Sequence, residues 1–272
     1  MNALDHNRYT EAWRTFGAEV GRPRAILVVS AHWYINATAV TAMAMPKTIH
    51  DFYGFPDELF AVDYPSPGDP ALAEEVAEVV KPVWVGADQD SWGSDHGTWS
   101  VLRHAFPDAD IPVVQLAINA MKPMEYHLDL GARLAPLRES GGLIAGSGNV
   151  VHNLGRLDVA LAERSFDWAE RFGETAQALL AEAPDTVAGL EHHPDFRAVA
   201  PTPDHFIPLV YLAGVAAAAG RPAEAIVDGY AYGSLSMASY AVDPPCPRAV
   251  VGPDHPAPVP DPAGVPTDDT TM

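Results

Sequence analysis

Cysteine is almost absent from this chain: Cys246 is the only one in 272 residues. An internal disulfide and a thiolate metal cage are excluded, and Cys246, in a Pro-rich segment, reads as a surface thiol rather than a nucleophile. Basic residues are also scarce. Sixteen Lys and Arg against 36 Asp and Glu leave a formal charge of −20, with no Lys/Arg-rich stripe to offset it. Such a surface repels a phosphate backbone, so nucleic acid is not an expected partner. No stretch reaches the ~18 uninterrupted apolar residues of a membrane span, and the N-terminus lacks a basic flank followed by an apolar run. The expectation is a cytoplasmic protein without a membrane partner. Familiar catalytic signatures are missing as well. No G-x-x-x-x-G-K-[ST] or G-x-G-x-x-G follows a strand, no H-E-x-x-H occurs, and Ala145-Gly146-Ser147-Gly148-Asn149 lacks the G-x-S-x-G spacing of a nucleophile elbow.

What is present is ample apolar material, 48% of the residues, enough to build one large domain. Arg24–Ser30, Ile111–Ile118 and Gly142–Ser147 are short apolar runs of the kind a strand buried on both faces requires, and Ala225–Asp228 begins another. Helical patterns lie at Arg8–Val20, Pro70–Val80, Thr98–Phe106, Met124–Arg138, Phe166–Ala183 and Phe206–Ala219. This alternation predicts a single α/β domain, a central mostly parallel or mixed sheet with helices on both faces, over residues 1–242. Residues 243–272 turn to Pro, Asp and small side chains and are expected to form a disordered or extended tail, so His255 within it receives no role.

Three histidines stand where an apolar segment meets a polar turn: His32 in Ser30-Ala31-His32-Trp33, His152 in Val150-Val151-His152-Asn153, and His205 in Pro203-Asp204-His205-Phe206. His32 is expected just beyond the carboxyl end of its strand. Ligands in α/β sheets collect beyond those ends, and imidazole serves both as metal ligand and as a base near neutrality. His96, in Asp95-His96-Gly97-Thr98, opens a helical pattern, and its choices are ligand contact or a local turn cap. His104, His127, His192 and His193 read as solvated or helix-surface residues. The long loop from Pro46 to Pro70 carries His50, Phe52 and Tyr53, whose rings either wall a pocket for a flat substrate or pin the loop to the core.

These segments, with Thr48-Ile49-His50-Asp51-Phe52-Tyr53-Gly54-Phe55-Pro56, Trp92-Gly93-Ser94-Asp95-His96-Gly97, Gly146-Ser147-Gly148-Asn149-Val150-Val151-His152-Asn153-Leu154, Pro201-Thr202-Pro203-Asp204-His205 and Gly233-Ser234-Leu235-Ser236-Met237, occur in an order that resembles the class III extradiol ring-cleaving dioxygenases. The likeness is specifically to the branch that includes the 4,5-DOPA dioxygenases, and it runs from Met1 to about Val242. The resemblance implies a mononuclear site with Fe(II) as catalytic metal and Zn(II) as another occupant. Under it, His32 and His205 are metal ligands, His152 is the acid–base histidine or a further ligand, and His96 is a second catalytic histidine near substrate and dioxygen. His50, Phe52 and Tyr53 are the substrate-binding candidates, and Asp204 is a carboxylate at the ligand corner. Family members also begin with a strand ending in Gly-His-Gly-Ser-Pro-Met-Asn, whereas this chain opens at Met1-Asn2. That departure implies a start upstream and one further ligand.

The implied reaction is cleavage of a catechol ring, DOPA or a related diol, with insertion of both atoms of O2. A diol chelates iron only where adjacent coordination positions stay open, as a three-ligand face allows. The alternatives are a non-catalytic zinc-binding relative, an inactive truncated form, and a metal-dependent hydrolase.

Overall fold

The apolar run that follows Arg24 becomes the central strand of the fold. In the computed structural model, which describes residues 2–244 and 257–258, it extends from Ala25 to Ile35 as β1. It follows α1 (Arg8–Val20), whose start is fixed by reciprocal hydrogen bonds: the Asn7 side chain accepts from the Tyr9 and Thr10 amides, and Thr10 Oγ1 accepts from the Asn7 amide. In chain order come β2 (Ala39–Thr41), α2 (Asp57–Phe60), α3 (Pro70–Val79), β3 (Gly86–Asp88), α4 (His96–Ala105), β4 (Val113–Asn119), α5 (Met124–Leu134) and β5 (Gly142–Ser147). They are followed by α6 (Asp167–Glu182), α7 (Phe196–Val199), α8 (Ile207–Ala219), β6 (Ala223–Val227), β7 (Tyr230–Ala231), β8 (Leu235–Ser236) and β9 (Ser239–Val242).

The main sheet has the order β3-β2-β4-β1-β5. β1 runs parallel to both β4 and β5, while β2 is antiparallel to β4, so the sheet is mixed as expected. Alternate residues of β1 supply two cores. Ala25, Leu27 and Val29 join Leu116 and residues of α3, α5, α6 and α8 on one face. Ile26 and Val28 join Trp99 and Leu102 of α4 with Phe52 and Tyr64 on the other. A strand covered on both faces needs no polar alternation, which is why it reads as an uninterrupted apolar run.

Three expectations are corrected. His32 lies inside β1 rather than past its end, because pairing with β4 resumes at Tyr34 after an irregularity that follows Val29. The strand at Ala225 belongs to a separate antiparallel pair, β6 with β9, and not to the main sheet. His104 and His127 are 7% and 0% exposed, so neither is a surface residue. Each faces the inner side of its helix and has polar company there: His104 meets Arg14 and the Asn2 carbonyl, and His127 meets the Tyr211 hydroxyl. Of the expected tail, Cys246 and His255 lie outside the described residues. Asp243 pairs with Arg138, and the Tyr232 hydroxyl donates to the Ala257 carbonyl.

Candidate active site

The carboxyl ends of the parallel strands β1 and β5 open on one side of the sheet, and the histidines of four separate segments meet there. His96 approaches first. Asp95 caps α4 by accepting from the Thr98 amide at 3.0 Å, which makes His96 the first residue of the helix. Asp95 is fully buried yet completely engaged, accepting also from Ser30 Oγ at 2.8 Å and Gln115 Nε2 at 2.7 Å. These bonds offset the cost of burying its charge and tie α4 to β1 and β4. Gly97 permits the final approach. A Cβ there would stand 2.7 Å from Ser30 Oγ and 2.9 Å from His32 Cδ2, so only glycine brings the helix this close to His32. The close backbone approach that this glycine permits is made to a histidine of β1.

On the other side, β5 leads into Gly148, where a Cβ would meet the His205 carbonyl at 2.3 Å. The Asn149 amide donates to that carbonyl at 2.9 Å, and the His152 amide donates to the Val199 carbonyl at 2.9 Å. The segments carrying His152 and His205 are thereby locked side by side. Their rings stack with centroids 3.6 Å apart. The remaining ring distances complete a continuous cluster: His32 lies 4.0 Å from His96 and 5.2 Å from His205, centroid to centroid.

Carboxylates anchor three of the four rings. Asp204 Oδ2 stands 2.5 Å from His205 Nδ1. Asp51 reaches two imidazoles at once, Oδ1 at 3.0 Å from His96 Nδ1 and Oδ2 at 3.0 Å from His32 Nδ1. Burial favours the neutral form of every imidazole here, and neighbours decide the balance. His152 is held well below the ordinary imidazole value by burial and by His205, and His205 is lowered by burial despite Asp204. His96 is lowered by burial and by the charge of His32. His32 goes the other way: burial lowers it, but its hydrogen bond to Asp51 and the charges of Asp95, Asp51 and Asp204 together raise it. Burial would raise both carboxyls, yet contact with the histidines holds Asp204 at about 2 and Asp51 below the usual carboxylate range.

The donor set suits a metal ion. His32, Asp51 and His96 offer ligand atoms within 4.8 Å of one another. Three imidazoles are biased to the neutral, ligating form, and Asp204 Oδ1 is buried without a hydrogen-bond partner among the described residues. The loop candidates are placed differently. Phe52 is 1% exposed with its ring 5.1 Å from that of His96, while Tyr53 is 48% exposed. His50 Nε2 bonds to the Val62 carbonyl at 2.8 Å, and its ring lies against Phe52, Phe60 and Trp99.

Residues 4–243 match the family described as the catalytic LigB subunit of aromatic ring-opening dioxygenase. The chain belongs to this LigB family. Among its relatives, the 4,5-DOPA dioxygenase extradiol of Escherichia coli (strain K12) is 44% identical over 89% of this chain and 90% of its own length. The protein of the same name from Beta vulgaris is 34% identical over 88% of this chain and 91% of its own length. The crystal structure of an uncharacterized Escherichia coli K12 protein superposes with a TM-score of 0.75 at 39% identity, covering 85% of this chain and 91% of that one. LigB membership carries metal-dependent, ring-cleaving dioxygenase activity at the family level, with an aromatic substrate and dioxygen. Among the described residues, no helix is long and apolar enough to cross a membrane.

Asp51 is the site residue that sequence reasoning passed over. It stood in the quoted loop motif between His50 and Phe52, but only proximity in space reveals that it serves two histidines distant from it in the chain.

Proposed function

We propose that this LigB-family chain is an extradiol dioxygenase that opens the ring of a catechol, DOPA or a related diol, using Fe(II), with Zn(II) as a further occupant of the same site. The observation that carries this reading is the convergence of His32, His96, His152 and His205 into one ring cluster, three of them anchored by carboxylates. His32 and His205 would hold the metal, and His152 would stand beside it. Iron(II), when bound there, supplies Lewis acidity toward the diol and a one-electron route between the ring and dioxygen.

The protein groups supply the rest. A catechol that binds as its dianion must lose two protons, and the neutral His152 imidazole is fit to take one and return it to the opened product. His96, its Nδ1–H held by Asp51, presents a bare Nε2 that accepts a hydrogen bond from a hydroxyl of the diol and so helps to orient it. Phe52, buried in the core, backs the His96 ring edge-on, and His50, Phe52 and Tyr53 are the loop residues proposed to set the substrate side of the site.

The test is anaerobic loading with Fe(II), then addition of catechol or DOPA and oxygen. A yellow ring-opened semialdehyde should form with one O2 consumed per ring, and isotopically labelled dioxygen should place both atoms in the product. Metal-loaded protein that consumes no oxygen with any of several catechols would contradict the enzyme reading and favour a zinc-binding relative.

A further inference from the structure

Asp51 touches two histidines of the site, His32 and His96. Its loop is held from both ends. The Ile49 amide donates to the Ser94 carbonyl at 2.7 Å, and Trp99 Nε1 donates to the Ile49 carbonyl at 2.8 Å. On the far side Phe52 is buried against Phe55 and Phe60, with centroids 5.3 and 4.8 Å away. Asp51 Oδ1 accepts, in addition, the His96 amide at 3.0 Å. A side chain fixed in this way is suited to transmit position to its neighbours.

We infer that Asp51 is a shared positioning residue, whose two oxygens hold the proton of both His32 and His96 on Nδ1 and so turn the Nε2 atoms of both rings toward the site. The reasoning is electrostatic. An ionised carboxylate only accepts hydrogen bonds, and a bare imidazole nitrogen also only accepts. Two acceptors 3.0 Å apart repel, so each Nδ1 facing Asp51 must carry hydrogen. The only nitrogen left to ligate or to bond substrate is then Nε2. Carboxylates commonly orient metal-binding histidines in this way, one carboxylate to one ring. Here one carboxylate serves two rings, on β1 and α4, and thereby couples a metal-ligand candidate to a substrate-side histidine.

This assignment competes with another use of the same atoms. His32, Asp51 and His96 are close enough to bind an ion directly as a three-donor group. Direct ligation by this group would put the metal on the Nδ1 side and displace the protons inferred here. The geometry favours orientation, because His205 and His152 lie beyond His32 and offer a metal two further imidazoles that an ion held beside Asp51 would not share. The tautomer assignment stands by itself, whereas its use for metal and substrate rests on the dioxygenase reading above.

Long-range proton–nitrogen NMR of the histidine rings tests it on metal-free protein at alkaline pH, independently of turnover. Wild-type His32 and His96 should both show Nδ1–H with a bare Nε2. Asp51→Asn offers one acceptor and one donor, so it can satisfy only one Nδ1–H, and one of the two rings should switch to Nε2–H. Zinc affinity of that variant should fall about 10- to 100-fold. Addition of zinc to the wild type should leave the Nδ1 proton of His32 in place. An Nε2–H tautomer for either ring in the wild type, unchanged tautomers in Asp51→Asn, or loss of the His32 Nδ1 proton on zinc binding would each overturn the inference. Failure of catalysis with these tautomers intact would count against the dioxygenase reading alone.

Discussion

The rings of His152 and His205 lie face to face, 3.6 Å between centroids and within 1° of parallel. Two imidazolium ions at that spacing would repel strongly, and burial already lowers both groups, so the pair enters the neutral pH range uncharged. His152→Ala removes the proton acceptor while leaving His32 and His205 in place. Turnover should fall about 10²- to 10⁴-fold, with a much smaller loss of zinc affinity than His32→Ala causes. Steady-state kinetics beside calorimetric zinc titration checks this, and equal loss of metal in the two variants would make His152 a ligand.

Asp204 opposes the effect of burial on His205 through its close Nδ1 contact. In Asp204→Asn that support is lost, the ring is freer to turn, and zinc affinity should fall about 10- to 100-fold. The pH at which His205 titrates in the metal-free variant should move further down, readable from its ring proton shifts. An upward movement would show that Asp204 acts on His205 otherwise than by its charge.

Gly97 sits where a methyl group would press on Ser30 Oγ and His32 Cδ2. Gly97→Ala should therefore displace His32 or the start of α4, with an overpacking cost of about 1–3 kcal/mol. Because the displaced ring belongs to the site, turnover should fall by more than the stability loss explains. Chemical denaturation and kinetics on the same preparation separate the two, and unchanged activity would show that the helix yields without moving His32.

Two buried histidines away from the site make stability pH-dependent. His104 Nδ1 accepts from Arg14 Nη2 at 2.8 Å, and its Nε2–H donates to the Asn2 carbonyl at 2.8 Å, a pattern that only the neutral ring satisfies. Burial, aided by Arg14 and Arg103, pushes His104 down to about 4, and burial does the same to His127. The unfolded chain, with both groups at the ordinary value of 6.5, binds more protons than the folded one below that pH. Their contribution is fully present above about 6.5 and is lost as pH falls toward about 4. Urea unfolding of the metal-free protein across this window should show the decline, and His104→Gln should reduce its slope.

Much of this was legible before any coordinates, and for identifiable reasons. β1 and β4 announce themselves because strands buried on both faces are continuously apolar, and α1 by its helical pattern over Arg8–Val20, whereas β5, expected to be buried in the same way, is a partly exposed edge strand. β2 and β3 carry only three residues each, too few for a periodic signal, so the antiparallel part of the sheet was hidden. The burial of His127 was hidden too, since an imidazole on the inner face of a helix spells the same as one on the outer face. At the site, His32, His96, His152 and His205 were nameable from the polar turns that follow or precede apolar runs and from motif order, although His32 proved to lie inside its strand. Asp51 was not, because its role consists of contacts to His32 and to His96, 45 residues further on, that exist only once the loop has folded over α4.

The central claim, that imidazoles from separate segments converge on one cation, is tested most directly by metal stoichiometry. Equilibrium dialysis of the wild type, His32→Ala and His205→Ala against Fe(II) under anaerobic conditions should give one equivalent bound to the wild type and almost none to either variant. A full equivalent retained by both variants would place the metal elsewhere and contradict the account.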